Sequence, residues 1–317
     1  MMKRTLLFGS IFIGILLGNL IGIYLLLSRK DYRIVSRYNH FQIIEKNQRM
    51  GIMNPQGNII FPLLYEKIDS FHYGIARVTK DKKIGYVDTT GKWKIPPVYD
   101  DLYLFNSFGS ALALQNGKYG WINKRNETVI PFLYKNVQSD FNRNGQTIVS
   151  KDGQKYGCIN LRNETILDFI YDRIELFDIY MLGEKDSSQG LYDLQGKILL
   201  PLTYERIQKS EGPVIPFKQN GKWGIYKSIT QEKVYLPYDS IGSYQEGLAC
   251  VTKDDKFGYL DLSGEPVIPL KFNFATGFHH QHANVSTHGY RFSIDKEGNR
   301  IPHRPINYFF GILINKL

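Results

Sequence analysis

The chain is predicted to be an all-β repeat protein of eight units of about 34 residues, preceded by one apolar membrane segment. Three observations carry this. One glycine recurs at Gly51, Gly85, Gly120, Gly157, Gly190, Gly224 and Gly258, at gaps of 33 to 37 residues. Turn residues and an aromatic ring recur at fixed offsets from it. Residues 5–27 contain no charged side chain. Internal periods of this size mark architectures in which each small unit buries its apolar face against a neighbour.

The elements of one unit follow in order. The residues after the glycine are large and apolar, as in Tyr86-Val87, Trp121-Ile122 and Tyr259-Leu260, and suit a short strand. Three residues after the glycine stands Asn54, Asp88, Asn123, Asn160, Asp193 or Asp261. Six residues after it stands Gly57, Gly91, Asn126, Asn163, Gly196 or Gly264. The first type accepts local backbone hydrogen bonds and the second tolerates positive φ, so the pair predicts a hairpin loop. An apolar return strand follows (Ile59-Ile60, Val129-Ile130, Ile198-Leu199, Val267-Ile268). Pro62, Pro96, Pro131, Pro201 or Pro269 is expected to end it, since proline donates nothing to a strand ladder. Fourteen residues after the glycine an aromatic ring is invariant: Tyr65, Tyr99, Tyr134, Tyr171, Tyr204, Tyr238, Phe272. A further strand then leads to the next glycine, as in Ile75–Val78, Ala111–Leu114 and Leu248–Val251. The sixth unit lacks the turn glycine, and its Pro237 comes two residues late. The last unit has Arg291 where the glycine should be, as befits a terminal repeat.

The segments Lys118-Tyr-Gly-Trp-Ile-Asn123, Lys222-Trp-Gly-Ile-Tyr226 and Lys256-Phe-Gly-Tyr-Leu-Asp261 resemble the bacterial WG-repeat family, also called KWG repeats. The resemblance covers about 260 residues, although only the sixth unit has Trp before Gly. It implies a β-repeat scaffold attached to a bacterial envelope or fused to other domains, and it brings no catalytic residues. Eight units fit either a propeller-like ring or an open β-solenoid. The domain boundaries expected are a signal anchor at 1–27, a basic linker at 28–38, the repeat array at 39–305 and an apolar cap at 306–317.

Residues 5–27 are long enough for a bilayer core of about 30 Å and lack a small-residue cleavage site, so a retained single-pass anchor is expected. Lys3 and Arg4 precede it and Arg29, Lys30, Arg33 and Arg37 follow, so basic residues flank both ends. The repeat domain is expected on the periplasmic or extracellular side. The tail Ile306–Ile314 is too short to span.

The net charge of +10 is spread over all units beside nearly as many acids, without a nucleic-acid-binding signature, so no nucleic-acid partner is expected. Cys158 and Cys250 read as apolar strand residues. No nucleophile, phosphate-loop or metalloprotease motif is present. Asp100, Asp172, Asp239, Glu66 and Glu205 follow the repeated tyrosine, and their recurrence predicts a hydrogen-bonded backbone corner rather than catalysis. These readings point to a non-catalytic, membrane-anchored binding scaffold for a protein, peptide or envelope glycan, with no cofactor. The competing reading is an enzyme or metal-binding protein using His279, His280, His282 and His288, four of seven histidines within ten residues.

Overall fold

The computed structural model describes residues 32–210 and 212–302. The expected membrane helix at 5–27 and the apolar cap at 306–317 lie outside the described residues. Among the described residues there is no helix, and none that is long and apolar enough to cross a membrane. The strands form eight four-stranded antiparallel sheets, and within each sheet the strands lie in chain order. They span residues 33–65, 67–99, 101–134, 136–171, 173–204, 206–235, 240–272 and 274–301, and are numbered sheets 1 to 8. The chain divides into two compact units, one ending at Tyr134 with sheets 1 to 3, the other beginning at Lys135 with sheets 4 to 8.

Sheet 3 shows the plan. Its strands are Asp101–Leu102, Ser110–Gln115, Lys118–Asn123 and Thr128–Tyr134. The recurring glycine is the middle of the third strand, and the return strand is the fourth. The first strand of most sheets is only two residues long and follows the repeated aromatic closely, too short to announce itself in the sequence.

Sheet 1 begins with Arg33–Tyr38, which pairs with Phe41–Lys46. The segment expected to be a basic linker at 28–38 is therefore partly strand. Its alternating Arg33, Val35 and Arg37 suit a half-exposed edge, where a basic side chain costs little.

The proline expected to end the return strand does not end it. That strand runs through proline to the aromatic, as in Ile59–Tyr65 and Trp93–Tyr99. Pairing jumps at this place: Tyr119 faces Tyr134 while Trp121 faces Ile130. Two residues of the third strand thus oppose four of the fourth, a bulge that takes Pro131 out of the ladder on an edge strand. The bulge explains the glycine. A Cβ on Gly120 would sit 2.7 Å from the Ile130 carbonyl oxygen, and one on Gly258 would sit 2.6 Å from that of Ile268. In sheet 8 the described part of the fourth strand is Arg300–Ile301, which pairs with Ser293 and Ile294, and Arg291 stands where the glycine stands in the other sheets.

The hairpin chemistry is as expected. Gly57, Gly91, Asn126, Asn163, Gly196 and Gly264 all have positive φ. Asn123 Oδ1 accepts from the backbone N–H groups of Arg125 and Glu127, and Asp193 Oδ1 from those of Gln195 and Lys197.

The apolar core lies between successive sheets within each unit. In the first unit, Ile43, Phe61 and Tyr65 of sheet 1 pack on Ile68, Ala76 and Val78 of sheet 2. Tyr86, Ile95 and Tyr99 then pack on Leu102, Ala111 and Ala113 of sheet 3. In the second unit, Ile148, Cys158 and Tyr171 meet Ile174, Met181 and Tyr192 in the same manner. The repeated aromatics are core residues: all but Tyr238, which is half-buried, are at most 6% exposed. Cys158 is likewise fully buried, and its burial pushes the thiol up to about 12.

Candidate functional site

Up-and-down order gives every sheet two unlike ends. At one end lie the turn between strands 2 and 3 and the link to the next sheet. At the other lie the loops joining strands 1 to 2 and 3 to 4.

The first end is uniform. In seven of the eight sheets the 2–3 turn has two residues, both with positive φ: Asn47-Gln48, Asp81-Lys82, Asn116-Gly117, Asp186-Ser187, Asn220-Gly221, Asp254-Asp255 and His288-Gly289. The residue after the repeated aromatic caps this turn. Glu66 accepts from the N–H groups of Asp81 and Lys82, Asp100 from that of Asn116 and Asp172 from that of Asp186. Glu205, Asp239 and Asn273 do the same for Gly221, Asp254 and His288. A hydrogen bond from the Lys83 ammonium and the backbone N–H of Asn116 together hold the Asp100 carboxyl below the usual carboxylate range, and Lys155 does so for Asp172. These acids therefore have a structural role at each corner. Lys135 occupies the equivalent place in sheet 4 and cannot accept, and there the longer turn is capped from within by Asp152.

At the second end the 3–4 hairpins repeat, but the 1–2 loops vary. The loop between strands 1 and 2 runs from two residues (246–247) to eight (138–145). In the first unit this end carries a groove of about 630 Å³. Its walls come from the 1–2 loops of sheets 2 and 3 (Tyr73, Leu104, Phe105) and its rim from Lys94 and Lys124. Tyr73 is 102% exposed and Leu104 55% exposed, so two large apolar side chains stand in solvent at its mouth. An adjoining recess is lined by Asp69, Arg77 and Asp101, where Arg77 pairs with both carboxylates and leaves its buried Nε without a partner. Composition and spacing did not single out this groove, because Tyr73 and Leu104 come from non-equivalent positions of irregular loops.

The histidine cluster is not one cluster. His279, His280 and His282 lie in the 1–2 loop of sheet 8, whereas His288 sits in the 2–3 turn at the other end of the strand Ala283–Thr287. Five strand residues separate them by about 16 Å. His279 and His282 are paired through backbone hydrogen bonds, and His280 has positive φ in the turn between them. Among the described residues no three His, Cys, Asp or Glu side chains converge as metal ligands would.

Sequence comparison agrees with the repeat geometry. The WG containing repeat family matches residues 50–83, 84–119, 119–154, 156–178, 190–223, 233–257 and 257–290. No curated protein matches the chain. Among solved structures, a eukaryotic initiation factor is similar at 10% identity and a TM-score of 0.38, with 86% of this chain and 87% of that one covered. BamB from Moraxella catarrhalis is similar at 12% identity and a TM-score of 0.32, with 86% and 88% covered. PorZ, a surface component of the type-IX secretion system of Porphyromonas gingivalis, is similar at 10% identity and a TM-score of 0.29 over 75% of this chain. The chain spans 38% of the length of PorZ. The seven matched segments cover most of the eight sheets, and the chain belongs to the WG-repeat family.

Proposed function

We propose that this protein is a non-catalytic binding scaffold, held to a bacterial membrane by residues 5–27, that presents the 1–2 loop end of its sheets to a peptide segment of a partner protein. The observation that carries the reading is the asymmetry of the two ends. The turns at one end repeat the same capping hydrogen bonds, while the other end combines variable loops with a solvent-facing apolar groove. Ile75 and Ile95 line the groove together with Phe105; Lys94 is paired with Asp88 at 3.5 Å, whereas Lys124, also in the lining, has no ion pair among the described residues. This favours a ligand with an apolar anchor flanked by carboxylates. The reading places the repeat domain on the outer face of the membrane.

A displayed-peptide library panned against the full-length protein in detergent tests this. Enriched peptides should pair acidic with large apolar residues and should lose binding to a Leu104→Asp/Lys124→Glu variant. Peptides that bind wild type and variant alike would overturn the reading.

A further inference from the structure

The second unit holds a polar recess of about 510 Å³ between sheets 4 and 5, also at the 1–2 loop end. The strand behind it, Gln146–Ser150, is buried along its whole length, yet it supplies Gln146, Thr147 and Ser150, three of the four buried polar residues among those described. Ile75, Met181, Val214, Leu248 and Ala283 begin the corresponding strand in five other sheets, and in sheet 3 the buried Ser110 begins it with its hydroxyl satisfied by the Asn106 side chain. Thr147 and Ser150 are satisfied: Thr147 Oγ1 donates to the Ser139 carbonyl at 2.6 Å, and Ser150 Oγ accepts from the Gly153 N–H.

Gln146 differs. Its Nε2 donates to the Leu194 carbonyl of sheet 5 at 2.6 Å, which fixes the amide, and its Oε1 is buried with no partner. A buried carbonyl oxygen left unpaired costs about 1–3 kcal/mol. The side chains of Asn144, Thr165 and Gln195 line the same recess and make no hydrogen bond among the described residues, while Ile166 and Leu194 add aliphatic surface. The only charged lining group, Glu164, is engaged by Asn160 Nδ2 at 2.6 Å. The recess thus presents unpaired, uncharged donors and acceptors over apolar surface, with no cation in its wall.

We propose that this recess binds a neutral oligosaccharide. Sugar hydroxyls both donate and accept, so one class of group answers the exposed Asn144 and Gln195 amides and the Thr165 hydroxyl, while ring C–H faces lie on Ile166 and on Leu194, whose carbonyl Gln146 holds in place. An anionic sugar would bring its carboxylate toward Glu164 with nothing to neutralise it. The site is independent of the peptide groove, since its residues lie in the other compact unit.

The test is saturation-transfer NMR and calorimetry on the full-length protein in a detergent without a sugar headgroup. The probes are cellotetraose, maltotetraose, tetra-N-acetylchitotetraose and, as the anionic comparison, tetragalacturonate. At least one neutral tetrasaccharide should bind. The exposed double substitution Asn144→Ala/Gln195→Ala should weaken it about tenfold without moving the thermal midpoint. Leu104→Asp, which disables the peptide groove, should leave sugar binding unchanged, so the two readings fail separately. Gln146→Met should also weaken binding, and the double variant keeps the test decisive if Gln146→Met does not fold. Absence of binding to all three neutral probes, equal binding by the double variant, or preference for tetragalacturonate would overturn the proposal.

Discussion

Replacing Gly258 by alanine tests why one glycine recurs through the chain. Gly258 sits in the third strand of sheet 7, opposite the bulge of Pro266–Phe272. A Cβ there would lie 2.6 Å from the Ile268 carbonyl oxygen, 3.0 Å from the Pro269 carbonyl carbon and 3.0 Å from the Leu270 nitrogen. All three are backbone atoms, so no side-chain rotation relieves the overlap, and the bulge must move. Overpacking of this kind costs about 1–3 kcal/mol, and a clash with backbone on three atoms belongs at the upper end. At roughly 2–4 °C per kcal/mol, Gly258→Ala should lower the midpoint by roughly 6–12 °C. Gly242, in the first strand of the same sheet, is the control. A Cβ there meets its nearest neighbour, the Cys250 carbonyl oxygen, at 3.3 Å, so Gly242→Ala should change stability by less than about 1 kcal/mol. Urea unfolding followed by circular dichroism measures both. Gly258→Ala within about 0.5 kcal/mol of wild type, or Gly242→Ala equally damaging, would refute the argument from close approach.

Further expectations concern acid stability, sidedness and attachment. In Asp88 and Asp261, burial raises the carboxyl, but hydrogen bonds from Thr90 and Ser263 and from backbone N–H groups together outweigh it and hold both below the usual range. A depressed folded-state value stabilises above the unfolded value near 4 and is lost as pH falls through the folded one, so urea midpoints should be flat from pH 7 to about 5 and drop below about pH 4. Asp261→Asn, which copies Asn123 and Asn160, should make that drop shallower. Burial pushes the Cys158 and Cys250 thiols up to about 12, so both should resist maleimides, while an engineered Ile229→Cys at an 82% exposed position should react. Labelling of that cysteine by an impermeant maleimide in intact cells supports an outer-face repeat domain, and labelling only after lysis contradicts it. The full-length chain should stay in the membrane through carbonate extraction with an uncleaved N-terminus, and a soluble product starting after residue 27 would refute the anchor.

Much of the fold was legible because repetition averages over local ambiguity. One hairpin with Asp or Asn followed three residues later by Gly or Asn is weak, but six at one offset identify a loop, and their positive φ values follow. The turn-capping acids were legible for the same reason. What escaped has physical causes. A first strand such as Lys67–Ile68 is too short for a periodicity, and the proline reading failed because an edge-strand bulge accommodates a missing N–H. The histidines looked like a cluster because sequence distance ignores a strand that carries His288 to the opposite end. The groove escaped because its exposed residues, Tyr73 and Leu104, belong to loops that do not repeat. The Gln146 recess escaped because a polar residue opens this strand in sheet 3 as well, as Ser110, and only the unpaired oxygen sets Gln146 apart.

The central claim is that one end of the sheets is a constant framework and the other is the binding face. Photocrosslinking in living cells tests it most directly. A photoreactive amino acid placed at position 104, in the 1–2 loop of sheet 3, is compared with one at position 116, in the capped turn at the opposite end of the same sheet. The account predicts discrete crosslinked partners from position 104, absent from position 116 and suppressed by Lys124→Glu. Crosslinks of equal yield from both positions, or from position 116 alone, would contradict it.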